Sequence, residues 1–183
     1  MKAEQKNASK RIKHLVYSAA AISLATVLSY IKIFRLPMGG SITFFSMLPI
    51  TLIGYFYGLG AGLVSGLAYG LIQFVLDPFF LTPVQVIIDY PLAFAALGLS
   101  GIFRQRKHGL TEGYITGTLA RFFFSAVSGL IFFTSYATDG LSGIAYTLIY
   151  NGSYIIPEAI ITIVIINLPP VKKAILSIKN AAD

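Results

Sequence analysis

The sequence predicts an all-α membrane protein with six transmembrane helices and both termini in the cytoplasm. Of the 183 residues, 56% are hydrophobic and only 11% are charged, whereas a soluble domain carries about 25% charged residues. Apolar runs recur along the whole length, and basic residues gather between alternate runs. These observations predict a single membrane-embedded domain that spans residues 1–183.

Six apolar runs are each near the length of about 20 residues that crosses a bilayer. They cover residues 15–33, 42–57, 59–76, 84–103, 114–133 and 143–168. Proline, glycine and aspartate residues mark the breaks between the runs. The second and third runs meet at Tyr57 and Gly58, which predicts a tight helical hairpin.

Four glycines recur at every fourth position of the third run: Gly58, Gly62, Gly66 and Gly70. This spacing places them on adjacent turns of one helix face, where they form a groove without side chains. Helices in lipid associate through such close backbone approach. The groove therefore predicts helix packing and says nothing about function.

The basic residues set the predicted orientation, since cytoplasmic loops are enriched in lysine and arginine. Three basic clusters fall on one side of a six-span topology: Lys2, Lys6, Lys10, Arg11 and Lys13; Arg104, Arg106 and Lys107; Lys172, Lys173 and Lys179. The opposite loops hold Lys32, Arg35, Asp77 and Asp139, whose charges cancel. The net charge of +7 thus follows topology rather than nucleic-acid binding, and residues 1–13 form a basic cytoplasmic segment.

The loop over residues 32–43 is the longest predicted outside connection and contains Pro37, Gly39 and Gly40. It fits either a mobile lid over an outward-facing site or an ordinary turn.

The sequence lacks the residues and motifs that several types of enzyme and metal site require. There is no cysteine, which excludes thiolate chemistry. His14 and His108 lie beside charge clusters, where we expect loops, and this makes a histidine metal site unexpected. The phosphate-binding P-loop motif and the common hydrolase motifs are missing. We expect neither an enzyme nor a cofactor, and active transport would need a partner or an ion gradient.

Asp89 is an ionisable residue in the fourth predicted span, where such residues are costly and usually functional. It shares a helix face with Gln85 and is followed by Tyr90 and Pro91. A carboxylate beside an aromatic ring suits an organic cation. The alternative is a structural ion pair with Arg121.

Arg121 and Ser125 lie in the fifth predicted span. For Arg121 we expect a side chain that reaches the cytoplasmic interface, or an anchoring pair with Glu112. Ser125 fits either a polar cavity or close helix packing.

The sixth predicted span is the most polar, and its polar residues follow helical spacing. One stripe contains Thr147, Asn151, Tyr154 and Glu158, and the adjacent stripe contains Tyr146, Tyr150 and Ser153. Asn151 and Glu158 indicate an inward-facing surface, whereas Tyr146 and Tyr150 also fit an interfacial aromatic belt.

Together these residues predict a small anionic pocket with aromatic walls, open to the outside. Its expected members are Asp89, Tyr90, Phe133, Tyr146 and Asn151, with Ser125, Tyr150 and Glu158 nearby. Such a pocket suits a flat, cationic, nitrogen-containing ligand.

Small residues recur on the first span as the pairs Ala19 and Ser23, and Ala21 and Ala25. They fit docking of another membrane helix or internal packing.

Five segments in this order resemble one known family. They are PMGGSIT at 37–43, SMLP at 46–49, PVQVIIDYPLAF at 83–94, SGLIFF at 128–133 and AYTLIYNGSYIIPE at 145–158. The chain resembles the thiamine-specific substrate-binding (S) components of energy-coupling factor vitamin transporters over nearly its whole length.

The resemblance implies a six-helix S-component fold in the bacterial cell membrane, with thiamine as ligand. It also implies a transmembrane coupling protein and two cytosolic ATPases as partners, with the coupling protein on the first helix. In the family an acidic residue followed by tyrosine contacts the vitamin, matching Asp89 and Tyr90 here, and Tyr146 and Asn151 match the sixth-helix contacts. The loop at 32–43 corresponds to the lid.

Two positions depart from the family pattern: Ser125 replaces a frequent histidine, and Phe133 replaces a tryptophan found in some relatives. Another cationic vitamin or pyrimidine thus stays open as the ligand. An ion-coupled carrier working alone is the alternative from a different class, and the sequence shows no internal repeat to favour it.

Overall fold

The computed structural model describes residues 2–36, 40–137 and 140–182. In chain order the elements are α1 (Lys2–Tyr30), β1 (Lys32–Arg35), β2 (Ser41–Thr43), α2 (Leu48–Tyr57), α3 (Leu59–Leu76), α4 (Pro83–Phe103), α5 (Gly109–Phe132), α6 (Gly143–Ile166) and α7 (Pro169–Ala182). A short 3-10 turn, Thr134–Tyr136, follows α5.

Five helices are long and apolar enough to cross a membrane: the Lys10–Tyr30 part of α1, and α3, α4, α5 and α6. The predicted second span, 42–57, is wrong in its extent. Its helix α2 covers only Leu48–Tyr57, about 15 Å at 1.5 Å per residue. Phe45 adopts a φ of 59°, which no α-helix through this segment accommodates.

The all-α prediction also needs correction, because β1 and β2 form an antiparallel hairpin. Lys32 pairs with Thr43, Phe34 with Ile42 and Arg35 with Ser41. The hairpin occupies the predicted lid loop, 32–43. The predicted lid residues Pro37, Met38 and Gly39 lie outside the described residues, as does Asp139.

The glycine groove packs α3 against α4 through Gly62, Gly66 and Gly70, as predicted, whereas Gly58 lies at the turn before α3 and a Cβ there would meet nothing within 4 Å. A Cβ at Gly62 would meet Gly98, one at Gly66 would meet the backbone of Phe94, and one at Gly70 would meet the carbonyl of Tyr90. The tight hairpin between α2 and α3 is also confirmed. Gly58 joins the two helices with a φ of 92°, a conformation that favours glycine.

Helix α4 changes its winding where Pro91 interrupts the hydrogen-bond ladder. It starts as an α-helix whose N-cap, Thr82, accepts a hydrogen bond from the Gln85 amide at 3.1 Å. Residues Ile88–Leu92 form a π-helical turn that contains Pro91, and the helix ends in 3-10 geometry over Ala96–Phe103. Because π turns often occur at functional sites, Asp89 and Tyr90 lie at a notable place.

The three basic clusters meet at one end of the molecule. Lys13 Nζ donates to the carbonyl of Ala181 at 3.2 Å, and Lys179 Nζ donates to the carbonyl of Arg104 at 2.8 Å. The sequence did not predict α7, because Pro169 and Pro170 fit a helix stop. They instead occupy the first positions of α7, where a missing amide donor has no cost.

Candidate functional site

A cavity of about 140 Å³ opens at the end of the molecule opposite the basic clusters, between α4, α5, α6 and the hairpin. Its lining residues are Gly40, Ser41, Phe79, Gln85, Asp89, Tyr90, Ser125, Gly129, Phe133, Tyr146, Thr147, Tyr150, Asn151 and Tyr154. We call it the aromatic cavity. The structure therefore brings seven of the eight predicted site residues together.

Asp89 is the one carboxylate among the lining residues of the aromatic cavity. Its Oδ2 accepts a hydrogen bond from Gln85 Nε2 at 2.6 Å. Gln85 is only 1% exposed and its Oε1 accepts from the Leu81 amide at 3.1 Å. The α4 start and the loop before it thus hold the carboxylate in place.

The alternative ion pair between Asp89 and Arg121 is wrong. Within the described segment 40–137, Asp89 forms no ion pair with Arg121. The guanidinium of Arg121 instead lies 4.3 Å from the centre of the Phe94 ring. Asp89 therefore lines the aromatic cavity without pairing to Arg121.

Tyr90 organises one wall of the cavity. Its hydroxyl donates to the carbonyl of Asp77 and accepts from the amide of Phe79, both at 2.9 Å. These bonds hold the loop between α3 and α4, and that loop places the Phe79 ring 5.7 Å from the Phe133 ring. Tyr90 thereby shapes the site as well as lining it.

The other wall is built by tyrosines of α6. Tyr146 and Tyr150 both line the cavity, and their rings stack with centres 6.0 Å apart. The Tyr150 hydroxyl accepts from the Gly40 amide at 3.0 Å. This bond ties the hairpin over the cavity mouth.

Asn151 is buried and held in one orientation. Its Nδ2 donates to the carbonyls of Thr147 at 3.0 Å and Ser125 at 3.3 Å, and its Oδ1 accepts from the Tyr154 hydroxyl at 2.7 Å. Since both amide hydrogens are used, the remaining capacity of this side chain is a lone pair on Oδ1. Ser125, also buried, lies on the facing helix.

Glu158 does not line the aromatic cavity, which corrects its prediction as a substrate-binding residue. Its carboxylate is 3% exposed and accepts from Thr43, Ser46 and Met47. The polar stripe of α6 is thus divided between two tasks. Asn151 faces the cavity, and Glu158, about two turns further along, holds the segment between β2 and α2.

The predicted placement of Arg121 is wrong. Arg121 lies near the middle of α5 and not near its end, because α5 begins at Gly109. Glu112 is paired with Arg106 at 3.4 Å instead. Arg121 lines a second cavity next to the first.

The small residues of α1 face two directions. Ala19 and Ser23 are exposed, whereas Ala25 is fully buried and its carbonyl accepts from Tyr69 at 3.2 Å. Ala21 packs against the same core. Docking through Ala21 and Ala25 is therefore wrong, because the helical period turns them inward.

Several residues that line the aromatic cavity are not among the site residues predicted from the sequence. Thr147 and Tyr154 were on the polar stripe and Gln85 was on the Asp89 face, so helical spacing could have included them. Phe79 comes from a loop without periodicity, and its place depends on the Tyr90 hydroxyl. Among the described residues, no group of three histidine, aspartate or glutamate side chains could hold a metal ion.

Comparisons with known proteins agree with one another. The family profile "Thiamine transporter protein (Thia_YuaJ)" matches residues 15–178. The chain is 34% identical over 176 residues to the thiamine transporter ThiT of Bacillus subtilis (strain 168), which spans 87% of this chain and 91% of that protein. It is 28% identical over 139 residues to ThiT of Lacticaseibacillus paracasei, which spans 67% of this chain and 69% of that protein.

The fold of this chain is similar to that of a solved structure of ThiT from Listeria monocytogenes. The TM-score is 0.73 at 28% sequence identity, and the match covers 88% of this chain and 97% of that chain.

Proposed function

The chain belongs to the thiamine transporter family (Thia_YuaJ), and we propose that it binds thiamine with high affinity as the S component of an energy-coupling factor importer. Its family makes it a transporter rather than an enzyme, and a multi-pass protein of a bacterial membrane.

One observation carries the thiamine proposal: a single carboxylate, Asp89, lies in a cavity otherwise lined by aromatic and neutral polar residues. Thiamine carries one permanent positive charge on a flat thiazolium ring. A monocation balances the carboxylate, and its ring gains cation–π contact with the walls. An anionic or neutral ligand would leave Asp89 uncompensated in a poorly hydrated site.

The cavity geometry supports a role for each lining group. Asp89 neutralises the thiazolium or binds the aminopyrimidine, and Phe133 with Phe79 forms one wall. Tyr146 and Tyr150 form the other wall, while Tyr90 fixes the wall that contains Phe79.

Hydrogen bonds to the ligand come from the remaining polar groups. Asn151 offers an acceptor at Oδ1, suited to the amino group of the pyrimidine, and Ser125 adds a hydroxyl on the opposite side. Gly40 and Ser41 close the cavity from the hairpin, which acts as the lid.

Calorimetric titration of the purified chain with thiamine tests this proposal. We expect submicromolar affinity, and Asp89→Asn to weaken it by more than about tenfold, because a charge-assisted contact is worth roughly 1.5–3 kcal/mol. Glu112→Gln is the matched control, since it removes a carboxylate on the exposed surface far from the cavity. An affinity no better than millimolar in folded protein, or an unchanged affinity in Asp89→Asn, contradicts the proposal.

We further propose that α1 docks the transmembrane coupling protein, which works with two cytosolic ATPases. The support is the exposed small pair Ala19 and Ser23 on a span that is otherwise little buried. Small exposed residues permit close helix approach in lipid.

Co-purification with the coupling protein and ATPases checks the docking face. We expect Ala19→Leu to reduce complex formation several-fold without changing thiamine affinity, while Leu24→Ala, a change on the lipid-exposed surface, has no effect. Thiamine uptake by liposomes that contain this chain alone would contradict the importer arrangement and favour an ion-coupled carrier.

A further inference from the structure

A second cavity, of about 190 Å³, lies beside the aromatic cavity, between the hairpin and helices α1, α3, α4 and α5. Ser41 and Tyr90 line both cavities, so the two cavities are neighbours. We call it the basic cavity. The contacts proposed for thiamine leave it without a role.

The charges around the basic cavity are mostly positive. Lys32, Arg35 and Arg121 line it, and Asp77 is the one carboxylate among its lining residues. Lys32 forms an ion pair with Asp77. Arg35 and Arg121 therefore face the cavity with no carboxylate on its lining left to balance them.

Of the basic residues that line the cavity, Arg121 is the one whose environment most favours a bound anion. It contacts the Phe94 ring, and its Nε is buried without a hydrogen-bond partner. Glu158 is buried nearby but already accepts from the hydroxyls of Thr43 and Ser46 and from two backbone amides. A guanidinium at mid-helix in a membrane is costly unless a negative group faces it.

The neutral groups of the cavity favour an anion too. Gln73 Oε1 accepts a hydrogen bond from Ser29 at 3.2 Å, which orients the amide of Gln73 and leaves its nitrogen as a donor for a ligand. Guanidinium groups match tetrahedral oxyanions through paired N–H donors.

We propose that the basic cavity binds a phosphate group at Arg121 and Arg35, the two lining cations that Asp77 does not pair. A phosphate monoester carries about −1.5 to −2 charges at neutral pH, which matches three basic side chains less one acidic one. The group comes either from free inorganic phosphate or from a phosphate ester of the ligand in the aromatic cavity. The ester source rests on the proposed function.

Thermal unfolding of the purified full chain in detergent tests the free-phosphate source. With sodium phosphate, compared with sodium chloride at equal ionic strength, we expect the Tm of the unmodified chain to rise by about 3 °C or more. Arg121→Gln should abolish the rise, and Arg35→Gln should reduce it. Arg106→Gln, at the opposite end, should keep it.

Calorimetry with thiamine and thiamine monophosphate tests the ester source. Arg121→Gln should weaken binding of the monophosphate at least about tenfold more than binding of thiamine, as expected for a charge-assisted contact. Arg121→Lys should restore part of the difference. If Arg121→Gln does not fold, Arg35→Gln supplies the same comparison.

The two experiments separate the sources and the hypotheses. A phosphate-dependent Tm alone supports free phosphate, and a selective loss of the monophosphate alone supports the ester. If neither depends on Arg121 and Arg35, the proposal is overturned. If thiamine itself does not bind, the proposed function fails while the thermal experiment still decides whether the cavity binds phosphate.

Discussion

Among single residues, Glu158 has the structural role that the sequence indicates least clearly. Its Oε2 accepts from the Thr43 hydroxyl at 2.6 Å and the Thr43 amide at 3.3 Å, and its Oε1 accepts from Ser46 and Met47. The turn around this carboxylate contains Phe45 at a φ of 59°, a conformation that costs about 1–2 kcal/mol for a side chain with Cβ. The four hydrogen bonds offset that cost and fix the base of the hairpin.

Glu158→Gln should therefore loosen the hairpin without touching the ligand. We expect thiamine to dissociate at least about fivefold faster with little change in its association rate, because charge-assisted bonds become weaker neutral ones. Stopped-flow displacement measures both rates. Equal dissociation rates in Glu158→Gln and the unmodified chain would refute this role.

The sequence predicts which polar residues are buried better than it predicts which groups they contact. Asp89, Asn151 and the tyrosines were identifiable because ionisable and amide groups are expensive in lipid. The free-energy cost of burying a polar side chain in lipid shows that the side chain has a partner. Which residue is the partner depends on tertiary packing. For this reason the sequence places Glu158 in the ligand site and Arg121 either at the cytoplasmic interface or in a pair with Glu112. In the structure Glu158 lies outside the aromatic cavity, and Arg121 contacts Phe94 near the middle of α5.

Among the helices, the contact between α3 and α4 positions the site. Gly66 and Gly70 let the α4 backbone approach at Phe94 and Tyr90, so the π turn with Asp89 is seated against α3. A side chain at Gly70 would meet the Tyr90 carbonyl in the turn that carries the carboxylate, and one at Gly66 would meet α4 directly after that turn.

Gly66→Ala should lower both stability and thiamine affinity. Its Cβ would meet the Phe94 carbonyl and the Ala95 backbone, and overpacking of this kind costs about 1–3 kcal/mol. Gly60→Ala is the matched control, because a Cβ there meets nothing within 4 Å. Thermal unfolding and calorimetry compare the two variants, and equal behaviour would rule out the groove as a support of the site.

The helix boundaries agree with the prediction where the sequence signal for a helix end has one interpretation. Helix α3 has the predicted bounds, 59–76, since Gly58 and Asp77 end the pattern on both sides. The hairpin and the short α2 were missed because an apolar run of this kind fits a strand followed by a helix as well as one helix. Helix α7 was missed because a proline pair can end one helix or begin the next.

At the scale of the molecule, the aromatic cavity and the three basic clusters lie at opposite ends. Contacts from Lys13 and Lys179 bring the clusters together, an arrangement that the positive-inside rule associates with the cytoplasmic face. We propose on this basis that both termini are cytoplasmic and that the cavity opens to the outside.

Cysteine labelling in intact cells checks this orientation, and the chain suits it because it contains no cysteine. Ser135, beyond α5, and Ser177, on α7, are both exposed. A membrane-impermeant maleimide should label Ser135→Cys from outside and label Ser177→Cys only after the cells are permeabilised. The reverse pattern would invert the proposed topology.

The central claim is that the Asp89 carboxylate, between two aromatic walls, binds the cationic vitamin. The structure of the complex with thiamine, solved at a resolution that locates both rings, tests it most directly. We predict the vitamin between Phe133 and the tyrosines of α6, with an Asp89 oxygen within about 4 Å of the thiazolium or of the aminopyrimidine nitrogens. Thiamine bound elsewhere, or Asp89 turned away to pair with Arg121, would contradict the account.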